Sequence, residues 1–300
     1  MKLYAPEYYK DFKCIADKCK HSCCIGWEID IDSHTLDKYN KTNYGYGETI
    51  KNSIDSTETP HFKLLENEKC PHLNGKGLCN IILEYGDGYL CDICREHPRF
   101  YNITPHGTEV GIGMACEEAC RFILESDNYS NIIEIADITN ETIEFAEYDT
   151  LAQRSIIYNI LADKSTSYNK RVKTIGDMYN VSLDDTDWND VIDSLEYLNE
   201  SHKDLFLNFS VKAVIPEEYE ENAERALAYF LYRHCSEAET ENDFRARLGF
   251  CLFCEKLLTS LASQVNNISK IEFYELARII SEELEYSENN TDAIKFEFCF

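Results

Sequence analysis

MACEEACRFILES, running from Met114 to Ser126, is where this 300-residue chain changes character. Cys116 and Cys120 stand four residues apart, so on a helix they share a face. From here to the C-terminus the apolar positions keep that period. The pattern predicts helices over Asp149 to Leu161, Glu217 to Cys235, Asn242 to Val265 and Ile271 to Leu284. Two stretches, NAERALAYFLY (Asn222 to Tyr232) and LGFCLFCEKLLTSL (Leu248 to Leu261), are apolar on more than one face and are expected at the centre of a bundle.

On the N-terminal side the composition is different. Ten of the fourteen cysteines lie between Cys14 and Cys120, ten of the twelve glycines precede Met114, and five of the six prolines precede His106. Gly-rich turns such as Asn74-Gly75-Lys76-Gly77 and Gly86-Asp87-Gly88 separate short apolar runs. The expected architecture is mainly α: a loop-rich, cysteine- and metal-binding module over residues 1–125, packed on an all-α helical region over 126–300. The polar, acidic segment Ser126 to Tyr148 is expected to connect them. No internal repeat or low-complexity tract is present.

Charge and hydropathy narrow the partners. With 55 acidic against 29 basic residues the formal net charge is −26, a surface that repels nucleic acid and anionic membranes and attracts basic proteins. No signal sequence and no apolar run of membrane-spanning length is seen, so the expected location is the cytoplasm. Thiols stay reduced there, and fourteen cysteines then point to metal binding instead of a disulfide framework.

The cysteines fall into four groups: Cys14-x4-Cys19-x3-Cys23-Cys24, Cys70-Pro71 with Cys79, Cys91-x2-Cys94, and Cys116-x3-Cys120. Thiolates two to four residues apart can turn toward one centre, and all-sulfur ligation suits either zinc or an iron–sulfur cluster. His21, His72 and His97 lie within these groups as a second possible ligand set, or as ordinary loop side chains. Cys23 and Cys24 are adjacent, and neighbouring side chains point apart in extended backbone. Cys251-x2-Cys254 sits inside an apolar helix and is expected to be core; Cys235 and Cys299 are expected to be ordinary thiols.

At these residues the sequence resembles the bacterial flagellin lysine-N-methylase family and, more distantly, small cysteine-rich zinc- or iron-chelating proteins. The most specific block is FKCIADKCKHSCCIGWEIDID, from Phe12 to Asp32. CPHLNGKGLCNI (Cys70 to Ile81), CDICREHPRF (Cys91 to Phe100) and MACEEACRFIL follow, and weaker similarity continues in RSIIYNILADKSTSYNKRV, NAERALAYFLYRH and ELARIISEELEYSENN. The resemblance marks Cys14, Cys19, Cys23, Cys24, Cys70, Cys79, Cys94 and Cys116 as ligands. Cys91 and Cys120 stand where the family pattern has other residue types, and His72, His97 and Glu117 also depart from it.

What the resemblance implies is methyl transfer from S-adenosylmethionine to ε-amino groups of flagellin lysines, with an iron–sulfur cluster, of 4Fe-4S type, bound by those cysteines. Lysine has a free pKa of about 10.4 and must lose a proton before it attacks a methyl group, so a carboxylate or a tyrosine has to stand beside it. Asp32, in the I-x-I-D segment, is the expected base; a helix cap before Ser33 and Thr35 is the structural alternative. Arg99 could hold the methionyl carboxylate through its planar fork, or form a structural ion pair. No strand followed by G-x-G-x-x-G is present, so a Rossmann-type cofactor site is not expected. The alternatives from other classes are a zinc-organised interaction protein and an iron–sulfur redox or electron-transfer protein.

Overall fold

The structure is a computed structural model that describes residues 2–137 and 148–299. The chain forms two compact units: Lys13–Arg99 is one, and the segments before and after it form the other.

The larger unit is built on local helix signals. Nine of the thirteen α-helices among the described residues belong to it. The predicted segments reappear as Thr150–Ala162, Glu220–His234 after a short 3-10 turn, Glu241–Ser263, and Lys270–Ile280 extended by a π-helical turn, Ser281–Glu285. Polar caps start them: Asp149 accepts from Ala152 N, Thr240 from Asp243 N, and Ser269 with Glu272 forms a reciprocal capping box. Glu220–His234 and Glu241–Ser263 are the central helices, buried on several faces as their sequences predicted. Around them Trp188 stacks on Phe253 with ring centroids 4.4 Å apart. Gly249 lets Phe298 press against the long helix, since a Cβ there would come within 2.2 Å of its ring. Cys235, Cys251 and Cys254 are all buried in this core, with the Cys235 and Cys251 sulfurs 3.8 Å apart.

The expectation of an all-α region over 126–300 needs one correction. Ile132–Asp137 is a strand, antiparallel to Lys2–Pro6 with Lys2 opposite Asp137 and Pro6 opposite Ile132. Its sequence, IIEIAD, supplies the β-branched residues that suit a pleated surface, and the pairing satisfies its backbone polar groups. Lys2–Pro6 also runs parallel to Gly107–Ile112, giving a four-stranded sheet in the order 99–104, 107–112, 2–6, 132–137. This pairing draws residues 2–12 and 100–125 into the helical unit, so the compact units part at Phe12 and Arg99, not near residue 125. Of the expected connecting segment, residues 138–147 lie outside the described residues.

Beneath the sheet, Arg154 donates from both terminal nitrogens to Glu109, at 2.7 and 2.5 Å, and Ser236 binds the same groups. Both charged residues are buried, 6% and 2% exposed.

The smaller unit contains four short helices, Ser33–Lys41, Gly47–Asn52, Asn80–Tyr85 and Asp92–Glu96, and one two-stranded ribbon, Ile54–Asp55 with His61–Phe62. Its core is compact, with Ile29, Ile31, Tyr39, Ile50, Phe62 and Ile81 buried alongside Cys70 and Cys91.

Candidate metal centre

Three turns of the smaller unit deliver its thiols. The Cys70 amide donates to the Cys24 carbonyl at 2.8 Å, tying the first cysteine group to the second. Between Cys70 and Cys79 the chain reverses at Asn74-Gly75-Lys76-Gly77, where the Asn74 side-chain oxygen accepts from Lys76 N at 2.8 Å and Leu78 N at 3.2 Å, and Gly77 takes a φ of +76°. Cys79 and Cys91 then stand at the N-cap positions of Asn80–Tyr85 and Asp92–Glu96.

This arrangement aims backbone N–H groups at sulfur. His72 and Leu73 donate to Cys70, Ile81 and Ile82 to Cys79, and Cys94 to Cys91. Such bonds stabilise thiolates and are among the levers that tune sulfur-ligated metal centres. The thiols of Cys24, Cys70, Cys79, Cys91 and Cys94 all lie within electrostatic reach of others in the group.

Their acidities follow from this crowding. Hydrogen bonding from Cys23 holds Cys24 down at about 7 against the opposing effect of burial. Burial pushes Cys70 up to about 12 and also raises Cys79. Cys91 and Cys94 share a proton: the bond from Cys94 lowers Cys91, and the same bond raises Cys94. Ionising several of these buried thiols together requires a cation among them. The donor set, soft sulfur with amide N–H groups behind it, fits a thiophilic metal or an iron–sulfur cluster. Among the described residues of this unit, no three of these sulfurs converge to within 4.8 Å of one another.

Of the eight cysteines marked by the resemblance, the structure gathers Cys24, Cys70, Cys79 and Cys94. Cys14 lies exposed on the loop that opens the unit, its sulfur accepting from Ala16 N at 3.4 Å; Cys19 is half-buried just after a 3-10 turn, and exposed Cys23 adjoins Cys24. Cys116 belongs to the other unit, at the N-cap of Glu117–Glu125. Cys91, which the family pattern set aside, is inside the group; the C-x2-C spacing to Cys94 is the signal that could have found it. Cys120 is buried in the helical unit and donates to the Tyr274 carbonyl at 3.4 Å.

The other candidates have structural surroundings. Asp32 caps two helices at once: Oδ1 accepts from Thr35 N at 2.8 Å and Oδ2 from Asp92 N at 2.9 Å. Burial alone would raise its pKa, but these bonds outweigh it and hold the carboxyl below its ordinary value, the wrong direction for a base toward lysine. Asp32 thus takes the position of the helix cap that is the structural alternative for it. His72 is fully buried between Ser53 Oγ at 3.0 Å and Tyr46 OH at 3.4 Å, with Phe62 edge-on at 4.5 Å. His97 packs 5.7 Å from Trp27, and burial holds both histidines down to about 4. His21 is exposed, and half-buried Arg99 opens the strand Arg99–Thr104.

The chain is similar to the flagellar biosynthetic protein FliU of Salmonella muenchen, with 27% identity over 128 residues, 40% of this chain and 75% of that protein. Lysine-N-methylases of Salmonella choleraesuis and Salmonella typhimurium are each 27% identical over 128 residues, again 40% of this chain but 31% of their own length. The matched region thus spans about a third of those two lysine-N-methylases. These similarities agree with the distant flagellin lysine-N-methylase relationship carried by the cysteine blocks. No family model matches the chain, and no solved structure does. Among the described residues no helix is long and apolar enough to cross a membrane.

Proposed function

We propose that this chain is a protein-lysine N-methyltransferase of the cytoplasm that uses S-adenosylmethionine to methylate flagellin, with an iron–sulfur cluster of 4Fe-4S type held by its cysteines. Two of the relatives carry the name lysine-N-methylase and a third is a flagellar biosynthetic protein, which supports a lysine-bearing protein as the substrate class. The net charge of −26 favours approach of such a substrate.

The observation that carries the cofactor is the thiol group of the smaller unit. Cys24, Cys70, Cys79, Cys91 and Cys94 would supply the ligands, and the amides of His72, Leu73, Ile81 and Ile82 would stabilise the bound sulfurs. An all-sulfur donor set with several thiols near one another is the kind that a cluster, whose irons stand between the sulfurs, would use. Once bound, such a cluster supplies an electrophilic iron and a redox centre. Arg99 is proposed to pair with the methionyl carboxylate of the cofactor through its planar fork.

The test is to purify the protein without oxygen, measure iron, acid-labile sulfide and zinc per chain, and then incubate it with labelled S-adenosylmethionine and flagellin. Iron and sulfide in the protein and label on flagellin lysines are expected. Stoichiometric zinc in a colourless protein would replace this proposal with a zinc-organised interaction module. A cluster that is reversibly reduced but transfers no label would replace it with a redox protein.

A further inference from the structure

Three tyrosines of the smaller unit form a cluster outside the thiol group, with Tyr85 and Tyr89 packed against the edge of the core and Tyr44 standing outside it. Tyr85 and Tyr89 are stacked at 4.4 Å, Tyr44 meets Tyr85 edge-on at 5.6 Å, and the hydroxyls of Tyr44 and Tyr89 are 3.1 Å apart. The cluster is built in: the Tyr85 hydroxyl donates to the Tyr44 carbonyl at 2.6 Å, and the next residue is Gly45, at φ +54°, where a Cβ would meet Glu84 at 2.4 Å and the Tyr85 hydroxyl at 3.0 Å. Thr42 adds a hydroxyl 3.3 Å from that of Tyr89, and the Tyr39 hydroxyl donates to the Tyr89 carbonyl at 2.7 Å.

The cluster faces outward. Tyr44 is 63% exposed, and Leu83, two residues before Tyr85, is 61% exposed. Glu84 and Asp87, on the same stretch of chain, are also exposed. One cation already lies on it: the Lys38 ammonium sits 4.4 Å from the centroid of the Tyr89 ring and donates to the Gly88 carbonyl at 2.5 Å. An aromatic face, a carbonyl acceptor and nearby carboxylates are what recognises a primary ammonium group.

We infer that the Tyr44, Tyr85 and Tyr89 cluster is a receptor for a lysine side chain of a protein partner, with Lys38 taking that position in the free chain. This rests on the lysine-bearing substrate class proposed above and gives that substrate a docking surface. Exchange of Lys38 for an incoming lysine conserves both the cation–π contact and the carbonyl bond. The intramolecular lysine holds the advantage of effective concentration, so a partner must add contacts of its own. Removing Lys38 should therefore uncover the receptor for a small probe.

The experiment titrates the full-length protein, without S-adenosylmethionine, with Nα-acetyl-lysine methylamide and reads the tyrosine ring resonances by NMR. The Lys38→Met variant should give saturable shifts, stronger than wild type and roughly two- to five-fold tighter than for the norleucine analogue. Tyr89→Leu should abolish them; if that variant does not fold, the Lys38→Met comparison decides alone. Equal binding of the lysine and norleucine probes to Lys38→Met, no saturable shift in that variant, or binding that survives in folded Tyr89→Leu would each overturn the inference. No methyl transfer is read, so this result and that of the labelling experiment fail independently.

Discussion

The carboxylate of Asp32 accepts the backbone amide of Asp92, sixty residues further along the chain, at 2.9 Å, while its other oxygen caps the helix that begins at Ser33. One side chain thus fixes the start of two helices, the second of which carries Cys94. Asp32→Ala leaves two amides without an acceptor and should cost about 1–3 kcal/mol of stability in denaturant unfolding. Asp32→Asn keeps one acceptor oxygen and should lose less. Folded Asp32→Asn should retain methyl transfer; an inactive but fully folded variant would return Asp32 to the chemistry.

The grouping of thiols separates Cys91 from Cys120. After anaerobic reconstitution, Cys91→Ser should lower bound iron as much as Cys79→Ser does, because both sulfurs belong to the same group. Cys120→Ser should keep its iron, since that thiol is bonded to the Tyr274 carbonyl within the helical unit. Full iron in Cys91→Ser would restore the ligand set of the family pattern.

Acid should weaken the helical unit through His234 and Glu285, which meet at 2.6 Å. Burial holds His234 below its ordinary 6.5 in spite of the carboxylate beside it. Burial alone would raise Glu285, but Arg233 and His234 outweigh it and keep the carboxyl below its usual 4.5. Both folded values are depressed, so both contributions are present above the unfolded values and are lost as pH falls toward the folded ones. Stability should decline below pH 6.5 and again below 4.5, by at most about 1.4 kcal/mol per pH unit for each group. His72 and His97 add the same sign in the other unit. Urea midpoints of wild type and His234→Gln between pH 8 and 4 check this: the variant should have the shallower slope near pH 6, and identical slopes would count against it.

Glu109 and Arg154 should behave as a buried pair. Glu109→Ala leaves the guanidinium buried without its carboxylate and should destabilise by about 3–5 kcal/mol. The double replacement Glu109→Leu with Arg154→Met removes both charges and should recover most of the loss. A double variant no more stable than Glu109→Ala would show that Ser236 and the shape of the site matter more than the charge.

The central helices were legible because their signal is local. Leu227, Phe230 and Leu231 recur at helical spacing, while Leu248, Phe250 and Leu257 lie on more than one face of a long apolar stretch, with Cys251 and Cys254 buried among them as core residues. The strand Ile132–Asp137 was not legible. Its glutamate and aspartate make it read as an acidic connection, and what makes it a strand is Lys2–Pro6, some 130 residues away.

The sequence by itself determined the mainly α character, the concentration of thiols before residue 121 and the acidic surface, because periodicity, spacing and charge are properties of neighbouring residues. Only the tertiary structure decided that Cys91 joins Cys24, Cys70, Cys79 and Cys94, that Asp32 is a cap, and that Lys38 lies on Tyr89. Each of those depends on where a turn or a helix end delivers a side chain relative to a distant one, and burial and hydrogen bonding at that meeting point set the chemistry of both.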